Sequence, residues 1–385
     1  MAFPIVLVVF LGGWFLVRLA RRHLASRRKH LSHEYNDKEG GQEAERIEVL
    51  IPDMFQSFLK QPPRVNPHYE TVKLESEKWI NEFCSFDART IHAVHKCGFS
   101  YFVSIAAPDA PPTELRTLCD WGNWVFPYDD MFDEGHLRDQ PEQSQKVMDS
   151  LMAAMEGRDV TEPKLPIVKV HDSVVERIAA KCSRGTQRRF AVTMGSYCSG
   201  ALKHVNDTSS QRVPTLEEMV MLRRESAGVS PLYHLVEYAH DLKVPEEVFN
   251  DPNIQELETL GIDMVSIVND TMSYRKEEGD GVPHNMVAAC RRNGMSAQEA
   301  FDTVGELFKG RCRRWDLAEA RVRSFGENVD PHVKAYIEGI KNTVKANLYW
   351  SFKSQRYFGR NADEVRRTRK TTVLAQPSFL VKAKV

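Results

Sequence analysis

Excess charge is the first thing this chain lacks. Fifty-two Lys and Arg stand against 53 Asp and Glu, a net −1 over 385 residues. A nucleic-acid surface needs a basic excess or a basic face, so the balance argues against that class of partner. Paired cysteines are missing too. The seven (Cys84, Cys97, Cys119, Cys182, Cys198, Cys290, Cys312) are scattered, odd in number and form no C-x-x-C. That fits reduced, mostly buried thiols in a reducing compartment, not a disulfide scaffold. No run of alternating β-branched residues is long enough for a sheet. No Asp-x-Asp-x-Asp-Gly loop is present, which excludes an EF-hand.

Long apolar runs are also scarce, with one exception. Residues 2–17, "AFPIVLVVFLGGWFLV", carry no charge, and Arg18, Arg21, Arg22, Arg27, Arg28 and Lys29 follow. As a helix, residues 2–20 would span roughly 28 Å, just enough for a hydrocarbon core of about 30 Å. A cleaved signal peptide carries its positive charge before the apolar run, not after it. We therefore expect residues 1–30 to be a single-pass anchor with a basic flank on the cytosolic side. The endoplasmic reticulum surface is the expected location, or the cytosol if the segment is not retained. Asn206-Asp207-Thr208 and Asn269-Asp270-Thr271 are glycosylation sequons that cytosolic placement would leave unused. Residues 31–48 read as a polar linker, 49–366 as one all-α domain of about ten or more helices, and 367–385 as a loose tail.

What is present is helical spacing with marked starts. Thr215-x-x-Glu218 and Ser296-x-x-Glu299 are capping boxes. Continuous spacing runs over 90–106, 114–132, 254–275 and 331–352. Leu216–His240 is interrupted by Gly228 and Pro231, where a kink or break is expected.

Two polar clusters stand out against this pattern. Asp129-Asp130-Met131-Phe132-Asp133-Glu134 closes an aromatic-rich helix. Asp129 and Asp133 share a face. Four acids at a helix C-terminus repel one another and oppose the macrodipole unless a cation offsets them. Carboxylate oxygens suit Mg2+ or Mn2+; a solvated acidic helix end is the plainer reading. The second cluster is Asn269, Ser273 and Glu277, an amide, a hydroxyl and a carboxylate each about one turn apart. Together they make a modest hard-metal site, or a chance polar face. Lys276 adjoins Glu277, a pairing that suits an anionic ligand. Arg223 and Arg224 precede the Gly228 kink. Arg356-Tyr357 follow the last long helix, where Arg can fork onto phosphate oxygens and Tyr can donate.

In this order and spacing the chain resembles the class I terpene cyclases of the fungal and bacterial sesquiterpene synthase type, over roughly residues 51–360. Asp129-Asp130-x-x-Asp133-Glu134 matches their aspartate-rich motif. Asn269, Asp270, Ser273 and Glu277, with Lys276, match Asn-Asp-x-x-Ser-x-x-x-Glu. Arg356-Tyr357 matches the Arg-Tyr pair. The diphosphate-sensing arginine is matched by Arg224, four before the kink glycine Gly228, or else by its neighbour Arg223. Ala227 departs from the more elaborate residue often found there, and the N-terminal anchor departs from a family that is usually soluble.

The resemblance implies a helical bundle around a central cavity. It implies a carbon–oxygen lyase that ionises farnesyl diphosphate, cyclises the carbocation and releases diphosphate. Three Mg2+ (or Mn2+) are implied, held by Asp129, Asp133, Asn269, Ser273 and Glu277. Arg224, Lys276, Arg356 and Tyr357 would grip the diphosphate, and Phe126 and Trp350 would line the pocket. Homodimers are frequent in the family. A chain-elongating prenyl synthase would want a second Asp-Asp-x-x-Asp where Asn-Asp-x-x-Ser stands. The same motifs would also suit a diterpene synthase of the same fold, or a non-catalytic, membrane-tethered protein that binds diphosphate. A class II cyclase is disfavoured, because no Asp-x-Asp-Asp motif accompanies a second domain.

Overall fold

The computed structural model describes residues 44–380 except 134, 138–139, 159–162 and 209–212; the side chains of 133 and 204–208 also fall outside the description. The expected anchor, its basic flank and most of the expected linker lie outside the described residues. No described helix is long and apolar enough to cross a membrane.

Helices dominate, and their ends follow from local chemistry. Helix α1 spans Tyr69–Cys84, α2 Ala88–Cys97, α3 Phe99–Ala106 and α4 Pro112–Asp133. The expected continuous helix over 90–106 is broken at Gly98, which takes φ 56° as the shared cap of α2 and α3. That conformation is cheap for glycine and costly for most other residues. Helices α5 (Pro141–Glu156), α6 (Pro166–Lys181) and α7 (Arg184–Thr208) follow. Both capping boxes form as expected, starting α8 (Leu216–Ser226) and the later α13 (Ala297–Glu319). The interruption expected as a kink or break is a break: Gly228 has φ 64°, and α9 (Ser230–Ala239) restarts with Pro231 in its first turn.

Helix α10 (Glu246–Phe249) leads into the central α11, Pro252–Asp280. The Asp251 side chain caps its first turn, and Gly281 at φ 70° ends it by returning its N–H to the Glu277 and Glu278 carbonyls. Met264, Ile267, Val268 and Met272 of α11 are buried. Full burial of such a side chain contributes about 1.5–3 kcal/mol. Helices α12 (Met286–Arg292), α13 and α14 (Asp330–Lys353) pack around α11, α14 also lies along α3, and α1 packs on α4. All seven cysteines are free, as their scatter suggests.

Two boundaries need correction. The end of the expected linker and the start of the expected loose tail pair as an antiparallel ribbon, β1 (Arg46–Leu50) with β2 (Lys370–Leu374), after a short α15 (Ala362–Thr368). Five-residue strands are too short to announce themselves by alternation. An isolated two-stranded ribbon is only marginally stable. This one is held because Val49 and Val373 are buried and because it is bolted to α11 and α12. The Leu374 N–H donates to Glu278 Oε1 (2.7 Å), and Arg291 donates to the Leu374 and Ala375 carbonyls (both 2.9 Å).

Candidate active site

A cleft of about 890 Å³, its open mouth included, is bounded by α3, α4, α7, the α8–α9 break, α11, α14 and the turn after α14. Its inner wall is apolar and aromatic, and its rim is charged. Phe126 and Trp350 both line it. Their rings stack with centroids 5.5 Å apart, and Phe99 meets each edge-on at 5.0 and 5.4 Å. The Trp350 indole N–H donates to the Cys97 carbonyl (2.7 Å), which fixes the ring.

On the rim, Asp129 is half-buried at the end of α4 and accepts a hydrogen bond from the Tyr197 hydroxyl (2.8 Å). Burial pushes its carboxyl up to about 6 against the opposing pull of Tyr197; the neighbouring Asp130 raises it further, while Arg223 and Arg356 lower it. A carboxyl so placed gains from a cation brought to it. Asp130 pairs with Arg356 (3.2 Å), whose guanidinium also lies 4.6 Å over the Phe126 ring. The aspartate-rich end of α4 and the Arg-Tyr pair are thus in contact. The Asp133 side chain lies outside the described residues.

Across the cleft, helical spacing sets Asn269, Ser273 and Glu277 along one face of α11. The Asn269 carbonyl accepts from Arg223 (3.0 Å), and its amide donates to the Tyr357 hydroxyl (2.8 Å). Glu277 accepts from the Asn285 amide (2.8 Å). The Ser273 hydroxyl is buried and has no hydrogen-bond partner among the described residues. An orphaned hydroxyl costs about 1–3 kcal/mol, which a ligand would relieve. The donor set is all hard oxygen and fits Mg2+ or Mn2+. Lys276 lines the cleft and pairs with Asp280 (2.9 Å). Among the described residues no three of His, Cys, Asp and Glu are placed to hold a metal ion; this face of α11 carries one carboxylate with an amide and a hydroxyl.

Of the two arginines offered as alternatives, Arg223 and not the first choice Arg224 is brought to the cleft. Arg224 turns away from the cleft and grips buried Asp263 through two nitrogens (2.7 and 2.9 Å), beside Arg311 on the same carboxylate (2.6 Å). Arg223 is the one that lines the cleft, bonded to Asn269 and 3.0 Å from Asp270. Successive helix positions lie about 100° apart, and the rotation of α8 carries Arg223 to the cleft and Arg224 to Asp263. Gly228 also lines the cleft; a Cβ there would come within 3.3 Å of the Tyr197 ring.

Tyr197 and Asn285 were not legible as site residues. Each reaches its carboxylate from a separate element, and no local spacing connects them.

The family model described as terpene synthase family 2, C-terminal metal binding, matches residues 120–314. A silphinene synthase from Penicillium patulum is 35% identical over 355 residues, covering 88% of this chain and 95% of the relative. A (+)-eremophilene synthase from Gibberella fujikuroi is 34% identical, covering 81% and 88%. The crystal structure of an α-eudesmol synthase superposes with TM-score 0.69 at 21% identity, covering 78% of this chain and 99% of that one, a likeness of fold.

Proposed function

The chain belongs to the terpene synthase family, and from that membership we propose a division of labour among its residues. It is a sesquiterpene synthase, a carbon–oxygen lyase acting on an allylic diphosphate. We take farnesyl diphosphate as the substrate and a cyclic sesquiterpene as the product.

Asn269, Ser273 and Glu277 would hold one Mg2+, and Asp129 with Asp133 would hold the other two. Such ions, when bound, draw off the negative charge that develops as the C–O bond breaks. The chain's own share is electrostatic and steric. Arg223, Lys276, Arg356 and Tyr357 donate to the diphosphate oxygens from fixed positions, which stabilises the leaving group most where charge grows most. Arg356 is held ready by Asp130 and Phe126, and Tyr357 by Asn269. The aromatic wall excludes water from the cation, and each well-placed ring stabilises it by about 0.5–2 kcal/mol. Phe126 and Trp350 are the rings set for this.

The observation that carries the reading is the Arg223–Asn269–Tyr357 chain of hydrogen bonds facing Asp129 in one cleft. Gas chromatography–mass spectrometry of the full chain with farnesyl diphosphate and Mg2+ tests it, beside geranyl and geranylgeranyl diphosphates. We expect a cyclic sesquiterpene that disappears with EDTA and falls on the order of 10²-fold or more in Glu277→Gln and in Asp129→Asn. Turnover insensitive to EDTA would sink the metal assignment. A folded chain that binds Mg2+ and diphosphate but turns over nothing would favour the non-catalytic reading.

The apolar segment 2–17 with its basic flank supports tethering of this domain at a membrane surface. Fractionation of the full chain beside one starting at Gln42 checks that. A homodimer is the assembly we infer from the family, and sedimentation measures it.

A further inference from the structure

Asn285 is fully buried, and four hydrogen bonds use it completely. Its carbonyl oxygen caps α12 by accepting from the Val287 and Ala288 N–H groups (2.8 and 3.2 Å). Its amide donates to the Asp270 carbonyl and to Glu277 Oε2, both at 2.8 Å. The adjoining Met286 N–H donates to Asp270 Oδ2 (2.8 Å). On its other side the His284 ring meets the Ser226 hydroxyl (3.0 Å), in the break where Arg223 and Gly228 line the cleft. The turn 283–286 therefore ties the α8–α9 break to the face of α11 that carries Asn269, Ser273 and Glu277.

Glu277 sits one turn before the end of α11, where a carboxylate has several rotamers open to it. Pinning Oε2 leaves Oε1 as the ligand atom and sets its direction. The chemistry of the pin matters. A Lys or Arg there would neutralise the carboxylate and weaken its hold on a cation. An acid would repel it. A neutral amide does neither.

We propose that Asn285 is a positioning residue that aims Glu277 at its metal ion, and that its cap on α12 fixes it for that task. The inference rests on the reading of Glu277 as a metal ligand. Groups that orient a ligand typically control about 10–100-fold in metal affinity.

Two substitutions separate the aim from the cap. Asn285→Ser keeps a good capping oxygen but cannot reach Glu277. Asn285→Asp keeps the cap and sets a carboxylate against Glu277. Mn2+ binding to the full chain with inorganic diphosphate, followed by electron paramagnetic resonance, is the readout, with circular dichroism to establish the fold. We expect both variants to fold, to bind Mn2+ about 10–100-fold more weakly, and to recover most of the turnover at saturating Mg2+. Wild-type Mn2+ affinity in both would overturn the proposal. So would failure of both to fold, since the contact would then serve the fold and not the ligand. Glu277→Gln is the control. If it too binds Mn2+ normally, the metal reading itself fails; if it alone loses Mn2+, only the role of Asn285 fails.

Discussion

Arg223 and Arg224 carry the same charge one position apart and do different things. Arg223 reaches Asn269 in the cleft, whereas Arg224 is spent on Asp263. Arg223→Gln should cost turnover on the order of 10²-fold, and it should also lower the melting temperature because buried Asp270 loses its ion pair. Arg224→Gln should lower the melting temperature and leave turnover nearly unchanged. Asp263 would keep Arg311 but lose two charge-assisted bonds, each worth about 1.5–3 kcal/mol at most where solvent is excluded. Kinetics and thermal melts on the two variants decide it; equal loss of turnover in both would return Arg224 to the site. At the same scale, His171 is buried between Trp124 and Phe190, and neither ring nitrogen has a partner among the described residues. Burial pushes its imidazole down to about 3 from 6.5. The unfolded chain takes up that proton as pH falls through about 6.5, and the folded chain refuses it until about 3. Stability from this group is therefore whole above 6.5 and is lost toward 3, by up to about 1.4 kcal/mol per pH unit. Urea midpoints at pH 7 and 5 should differ less in His171→Phe than in the parent chain.

Among the elements, α11 does most to organise the site, and the β1–β2 ribbon is clamped to its end. Glu278, beside the face that carries Asn269, Ser273 and Glu277, has its carboxyl pushed up to about 7 by burial, an effect that the Leu374 N–H and Arg291 oppose. Ending the chain at Arg369 would remove β2 and leave buried Glu278 and Arg291 without those backbone partners. Lost partners of buried charged groups cost several kcal/mol between them. The truncated chain should melt well below the parent, and differential scanning calorimetry measures it; an unchanged melting temperature would show the ribbon to be ornamental. The helices themselves were largely legible. The two capping boxes, the Gly228 break and the long α11 and α14 follow from cap residues and spacing. The Gly98 break and the ribbon were not, because one glycine and two five-residue strands from opposite ends of the domain leave no periodic trace.

Over the whole molecule, the cleft is contoured by helices that are distant in sequence. Phe126 comes from α4, Trp350 from α14 and Phe99 from α3, and they meet as one aromatic wall. Trp350→Leu should therefore change the ratio of products more than it changes metal affinity, with total turnover down several-fold. Chromatographic profiles of the variant and parent test this, and an identical profile would remove Trp350 from the wall that shapes the cation.

The sequence by itself determined the family, the helical class and the chemical types at the rim. Asn269, Ser273 and Glu277 are legible because one helix repeats every 3.6 residues, so spacing alone puts them on one face. The acids after Tyr128 are legible because four carboxylates at one helix C-terminus repel one another and oppose the macrodipole, which makes the cluster conspicuous. Tertiary structure alone decided which arginine enters the cleft, that Tyr197 holds Asp129 and Asn285 holds Glu277, and that residues 46–50 and 370–374 pair as a ribbon. Those are contacts between elements, settled by how the helices rotate and dock against one another, and local periodicity carries no information about docking.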